Sequence, residues 1–118
     1  MTLDLFLERV YARQVICFND VISTIDHHYD YTPTGFSNGL YGRERRNEAG
    51  QNAGSCKVLA FALLFNLDKR QTLHLFAEHY RDVLDHPEAD CHPNIRAFIE
   101  DGWAGVKFDA QPLLRKSV

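Results

Sequence analysis

The chain is predicted to fold as a mainly α, single compact domain of about five helices, with a long structured loop and a small β element. Three observations carry this expectation. Apolar residues recur at helical spacing in several segments that open on capping residues. Glycines and prolines fall between those segments rather than inside them. The 118 residues, 45% hydrophobic and 12% aromatic, suffice for one buried core and not for two.

The first helix is expected from Thr2 to about Arg13, with Thr2 as N-cap, Asp4 in the first turn, and Leu3, Phe6, Leu7 and Val10 on one face. A second is expected from Asn19 or Asp20 to Tyr29, capped by Asn19, with Val21, Ile22, Ile25 and Tyr29 facing inward. Between Asp30 and Ser55 the periodicity stops. Pro33 extends Thr32, while Asn38-Gly39 and Tyr41-Gly42, flanked by Phe36 and Leu40, allow a short hairpin. Gly50 and Gly54 bracket a further tight polar loop, and structured loops of such length are commonly functional.

Ser55 then reads as the N-cap of a helix from Cys56 to about Asn66. Val58, Leu59, Phe61, Ala62 and Phe65 make it apolar around most of its circumference, as a central buried helix is. Asp68 and Gln71 form a capping box for a helix from Lys69 to Leu84, striped by Leu73, Phe76, Ala77, Tyr80 and Leu84 and stopped at Asp85-His86-Pro87. A shorter helix begins at Asp90 or His92, carries Pro93 in its first turn and Ile95, Phe98 and Ile99 inward, and ends at Gly102. Val106-Lys107-Phe108 is a short strand or an extended docked tail.

Composition excludes several function classes. A net charge of -3 supplies no global basic field for nucleic-acid phosphates. The run Arg43-Glu44-Arg45-Arg46 beside Tyr41 comes with no nucleic-acid motif and reads as a solvated loop. Cys17, Cys56 and Cys91 cannot all pair as disulfides, in keeping with a reduced compartment. The longest apolar run, Val58 to Phe65, is far below the roughly 18–20 residues of a membrane span, and the first residues carry no basic signal region. A cytoplasmic protein is expected, with no membrane and no nucleic-acid partner.

Chemistry concentrates in Arg46-Asn47-Glu48-Ala49-Gly50-Gln51-Asn52-Ala53-Gly54-Ser55-Cys56-Lys57, just ahead of the central helix. Unpaired N–H groups and the positive end of the helix dipole favour an anion there and would lower the pKa of Cys56, as would Lys57. A nucleophilic Cys56 needs a base and an orienting group, and His92 with Asn94 supply both if the short helix packs against this loop. The plainer reading leaves Ser55 as a cap, Cys56 as a small core residue, and Asn47 and Asn52 as partners of the loop backbone. Trp103 between glycines reads first as a core anchor. No histidine pair has i, i+4 spacing: His74 and His79 are five apart, and Cys91-His92 are adjacent with no Cys-x-x-Cys anywhere. No metal and no cofactor are expected.

The string Asn47 to Lys57 followed by Ala60-Phe61-Ala62 resembles the HopJ type III effector family. So do Tyr29-Asp30-Tyr31-Thr32-Pro33-Thr34 with Phe36-Ser37-Asn38-Gly39, His92-Pro93-Asn94-Ile95-Arg96-Ala97-Phe98, and Gly102-Trp103-Ala104-Gly105-Val106-Lys107-Phe108. The matches run in order from about Phe18 to Phe108 within one domain, 1–118. The resemblance implies delivery by type III secretion from a plant-pathogenic bacterium, and it brings no catalytic residue with it. It places Asn47, Glu48, Asn52, Ser55, Cys56, Lys57, His92, Asn94, Arg96 and Trp103 at motif positions. The N-terminus departs from the Ser-rich, disordered form usual in secreted effectors, because Thr2 to Arg13 reads as a helix.

Three functions follow. The first is an effector-like module that binds a host or bacterial protein, or a small anionic ligand, through Asn47, Glu48, Asn52, Ser55, Lys57, Arg96 and Trp103. The second is a thiol enzyme with Cys56 as nucleophile, His92 as base and Asn94 as orienter. The third is a housekeeping structural module whose polar motif fixes a loop.

Overall fold

Helical spacing of apolar residues becomes six α-helices in the computed structural model, which describes residues 2–117. Helix α1 (Leu3–Tyr11) is capped as expected: the Thr2 hydroxyl accepts the Leu5 N–H at 3.2 Å, and Phe6, Leu7 and Val10 are buried. Helix α2 (Phe18–His28) starts earlier than Asn19. Its cap residue, Cys17, makes no side-chain cap; the Glu78 carboxylate, from a distant helix, accepts the Phe18 N–H at 2.7 Å instead. That bond, with one from its own backbone N–H, holds the Glu78 carboxyl below its ordinary value.

Strand β1 (Tyr29–Tyr31) follows directly, then β2 (Phe36–Asn38) and β3 (Arg45–Asn47), the two strands of the anticipated hairpin. Helix α3 (Ala53–Leu64) is the central helix, with every residue from Val58 to Ala62 buried. It begins at Ala53, so Ser55 lies inside its first turn and is not the cap. Asn52 occupies the cap position at φ 50, and its side chain is already committed to Asn47. A left-handed residue there reverses the chain straight out of the preceding turn, which brings the helix start forward.

Helix α4 (Lys69–Leu75) opens on the expected capping box: Gln71 N–H donates to Asp68 at 2.8 Å and Asp68 N–H to Gln71 at 3.0 Å. The unbroken helix expected to Leu84 is instead divided. Ala77 turns out of helical geometry at φ 54, ψ -125, and α5 (Glu78–Asp85) sets off in a new direction. Phe76 and Ala77 are both buried at this corner, and Phe76 stacks on Phe18 with ring centroids 6.5 Å apart. Packing against α2, including the Glu78 contact, outweighs local helix propensity here. Helix α6 (Pro93–Asp101) begins after His92 with Pro93 in its first turn and ends at Gly102, as read from the sequence. A 3-10 turn over Gly102–Gly105 leads to β4 (Lys107–Phe108) and β5 (Leu113–Arg115).

Two small antiparallel sheets close the fold. One has the order β3-β2-β4, with Phe36 opposite both Asn47 and Phe108. The other pairs β1 with β5, Tyr29 facing Arg115. The core gathers around Phe61 of α3, which meets Phe6 and Tyr29 edge-on at 5.8 and 5.9 Å. Among the described residues, no helix is long and apolar enough to cross a membrane.

Candidate functional site

Four asparagines from separate segments meet at one end of α3. Asn38 ends β2, Asn47 ends β3, Asn52 precedes α3 and Asn94 lies in the first turn of α6. The Asn94 amide donates to Asn47 Oδ1 at 2.8 Å, and Asn47 Nδ2 returns a bond to Asn94 Oδ1 at 3.1 Å. Asn52 Nδ2 donates to the same Asn47 oxygen at 2.7 Å, and Asn38 Nδ2 to the Asn94 carbonyl at 2.8 Å. Asn38, Asn47 and Asn94 are buried, at 0%, 3% and 4% exposure. Pairing offsets the cost of burying these amides, with Asn38 Oδ1 left unpartnered among the described residues, and the network ties the hairpin to the starts of α3 and α6.

The two helix starts open on one cleft of about 220 Å³, lined by Gly54 and Ser55 of α3, Asn94 and Ile95 of α6, and the imidazoles of His79 and His92. Both cap residues are left-handed, Asn52 at φ 50 and His92 at φ 53, and neither places a side-chain acceptor on its helix. The first helical bonds run from Cys56 N–H to Asn52 O and from Arg96 N–H to His92 O, which leaves the amides before them without a helical partner. Phe18 and Phe76 supply the apolar wall, and His79 packs edge-on against Phe18 at 4.6 Å and beside His92 at 5.0 Å. Unpaired N–H groups and two positive dipole ends make the cleft suited to an anionic group.

The short helix does pack back against the loop, yet the three residues of the thiol hypothesis go to different partners. One residue further along a helix turns the side chain by about 100°, so Ser55 lines the cleft while Cys56 enters the core. Cys56 is fully buried, with its thiol 3.7 Å from the Thr34 carbonyl oxygen. Burial pushes that thiol up, and the Tyr31 hydroxyl offsets only part of the rise. His92 Nε2 lies 3.1 Å from Asp82 Oδ2, and Asn94 is committed to the asparagine network. Among the described residues, no hydrogen bond joins Cys56 to His92 or Asn94.

With Cys17 and Cys91 changed to Ser, Cys56 is therefore expected to alkylate slowly in native protein. Its pH inflection should lie above the ~8.5 of a free thiol, with full reactivity only in denaturant. Rapid reaction near neutral pH that disappears in His92→Gln would reverse this reading.

The remaining candidates divide by location. Lys57 leaves the loop for α2, pairing with Asp26 at 2.8 Å beside the Tyr31 ring. Glu48 is exposed and reaches only Arg46, at 3.4 Å. Arg96 turns to the loop before α6, where its guanidinium donates to the Cys91, Pro87 and His86 carbonyls. Trp103 is an anchor: its indole N–H donates to the Leu67 carbonyl at 2.9 Å and its ring meets Phe98. Within the basic run, Arg43 pairs with Asp101 at 2.5 Å and Arg46 with Asp109. The sequence reading names Asn38 and His79 but assigns neither to this site. Asn38 is legible as half of a turn dipeptide and as part of a family-like motif, and His79 only as an ill-spaced partner of His74.

Among curated proteins none matches the chain. A crystal structure described as the unknown function protein VPA0580 superposes with a TM-score of 0.92 at 42% identity, covering 98% of this chain and 95% of that one. The family described as HopJ type III effector protein matches residues 3–113, which include every residue of the cleft and of the asparagine network. The chain belongs to the HopJ type III effector family.

Proposed function

We propose that the protein is a HopJ-type effector-like binding module that takes the anionic group of a small ligand in the cleft between α3 and α6. The observation that carries this reading is the convergence of two helix N-termini, neither capped by a side chain, on a cleft that also holds two imidazoles. Ser55 and the amides around it contact the ligand, His79 donates from the opposite wall, which His92 helps to form, and Asn47, Asn52 and Asn94 hold the two helix starts in place. Glu48, Lys57, Arg96 and Trp103 stand outside the binding set because their side chains are engaged elsewhere or open to solvent. Binding is favoured over thiol catalysis by the burial of Cys56. The family's name further supports delivery through a type III system.

Inorganic phosphate is the first probe. Saturable NMR shifts are expected at the amides of Gly54, Ser55, Asn94 and Ile95. Ser55→Glu should weaken phosphate at least about tenfold, because its own carboxylate would occupy the helix start, where an acidic residue is compatible with the fold. Absence of saturable shifts, or unchanged affinity in Ser55→Glu, would overturn the proposal.

A further inference from the structure

Folding assembles a donor set that sequence spacing conceals. Asp82 lies on α5, Cys91 ends the loop before α6, and His92 occupies the cap position of α6. One ligand atom from each, Asp82 Oδ2, Cys91 Sγ and His92 Nε2, falls within 4.8 Å of the other two. The imidazole nitrogen is 3.1 Å from the carboxylate oxygen, and the sulfur is 4.0 Å from the same oxygen. We propose that these three side chains form a binding site for a divalent metal of borderline softness, with zinc the best fit.

The chemistry of the donors selects that class. Thiolate, imidazole and carboxylate are the three ligand types that zinc takes in proteins, and together they oppose two negative charges to a dication. Usual zinc bond lengths at tetrahedral angles set N···O and S···O separations of about 3.3 and 3.5 Å. The observed nitrogen–oxygen pair is close to this. The sulfur needs to move roughly half an ångström toward the oxygen and up to about 1.2 Å toward the nitrogen, a shift that a rotamer change of the exposed Cys91 can supply. Three protein ligands leave a fourth position open to water or an anionic group, as in zinc sites that do chemistry.

The surroundings reinforce the triad. Arg96 donates to the Cys91 carbonyl at 2.6 Å and to its sulfur at 3.5 Å, which fixes the loop. His86 Nδ1 stands 3.2 Å from Asp82 Oδ1, so the second carboxylate oxygen has an orienting partner and Oδ2 is left for the ion. His92 holds φ 53, a backbone conformation that costs energy for a residue with a Cβ and that places its ring against Asp82. Asp82 and Cys91 do not line the anion cleft, while His92 belongs to both, so the two sites adjoin through one imidazole.

Cobalt, as a spectroscopic stand-in for zinc, tests the proposal on metal-free, tag-free protein. One equivalent should bind with a near-ultraviolet thiolate-to-cobalt charge-transfer band that zinc displaces. Cys91→Ser should remove the band, Asp82→Asn should weaken cobalt at least about tenfold, and Cys17→Ser should change neither. Zinc should raise the melting temperature of the parent protein and not of Cys91→Ser. The melting temperature without metal should be the same for both, because Cys91 is exposed. No charge-transfer band, or a band that survives Cys91→Ser, overturns the site. Phosphate shifts at the Gly54 and Ser55 amides are read separately, so failure of either proposal leaves the other to its own result.

Discussion

Asn47→Ala is expected to destabilise the protein by about 2–3 kcal/mol, the cost of leaving buried amide groups unpaired. Asn47 accepts from Asn94 and Asn52 through one oxygen and donates back to Asn94 Oδ1. Truncation leaves the Asn94 Nδ2 group, on a residue only 4% exposed, without its acceptor and beyond easy reach of water. Asn52 is exposed and can be solvated, so most of the loss falls on Asn94. For a domain of this size the melting temperature should fall by roughly 10 °C. Glu48→Ala, next in the chain but exposed, should stay within about 0.5 kcal/mol of the parent. Urea denaturation of the two variants checks this. Unchanged stability in Asn47→Ala, with phosphate binding lost, would instead make Asn47 a direct ligand contact.

Gly105→Ala should be at least as damaging, for a steric reason. A Cβ at position 105 would lie 2.7 Å from the Gly39 nitrogen and 2.9 Å from its Cα. Both are backbone atoms, held in place by the bond from Gly39 N–H to the Gly105 carbonyl at 3.1 Å. No rotamer can relieve that contact, so the crossing must separate, at about 2–3 kcal/mol for overpacking of this kind. Gly39 follows Asn38, so a displaced crossing also shifts Asn38 from the Asn94 carbonyl and should weaken phosphate in the cleft. Gly50→Ala is the comparison: at φ 89 with open space around it, it carries only backbone strain, about 1–2 kcal/mol. Equal unfolding midpoints for the two variants would show that the crossing does not constrain the fold.

Local patterns reported the helices well. Thr2 caps α1, Asp68 and Gln71 box α4, Pro93 and Gly102 bracket α6, the hairpin forms around the turn residues that allowed it, and Lys107–Phe108 takes the strand alternative over the docked tail. The misses share a cause. Asn19 loses its capping role because Glu78 reaches the Phe18 N–H from another helix, and the helix through Ala77 breaks because Phe76 and Glu78 are wanted at α2. The pairing of β1 with β5 joins segments too short to show a period of their own.

For the candidate site, the sequence named the loop before α3 together with His92 and Asn94, which the fold brings to one cleft, but it could not orient them. Whether Ser55 or Cys56 faces the cleft turns on where α3 begins, and a three-residue error in a helix start rotates its face by roughly 300°. Asp82, Cys91 and His92 likewise share no ligand spacing, because their meeting depends on how α5 packs beside α6.

By itself the sequence determined the mainly α class, the central apolar helix, the caps whose donor and acceptor lie within one turn, and membership of the HopJ family. These depend on interactions over a few residues, or on strings that persist without reference to distance in space. The tertiary structure alone decided the asparagine network, the cleft between two helix starts, the burial of Cys56 and the grouping of Asp82 with Cys91 and His92. Each of these joins residues distant in the chain or depends on helix rotation, and both are set by the packing of one apolar core rather than by local propensity.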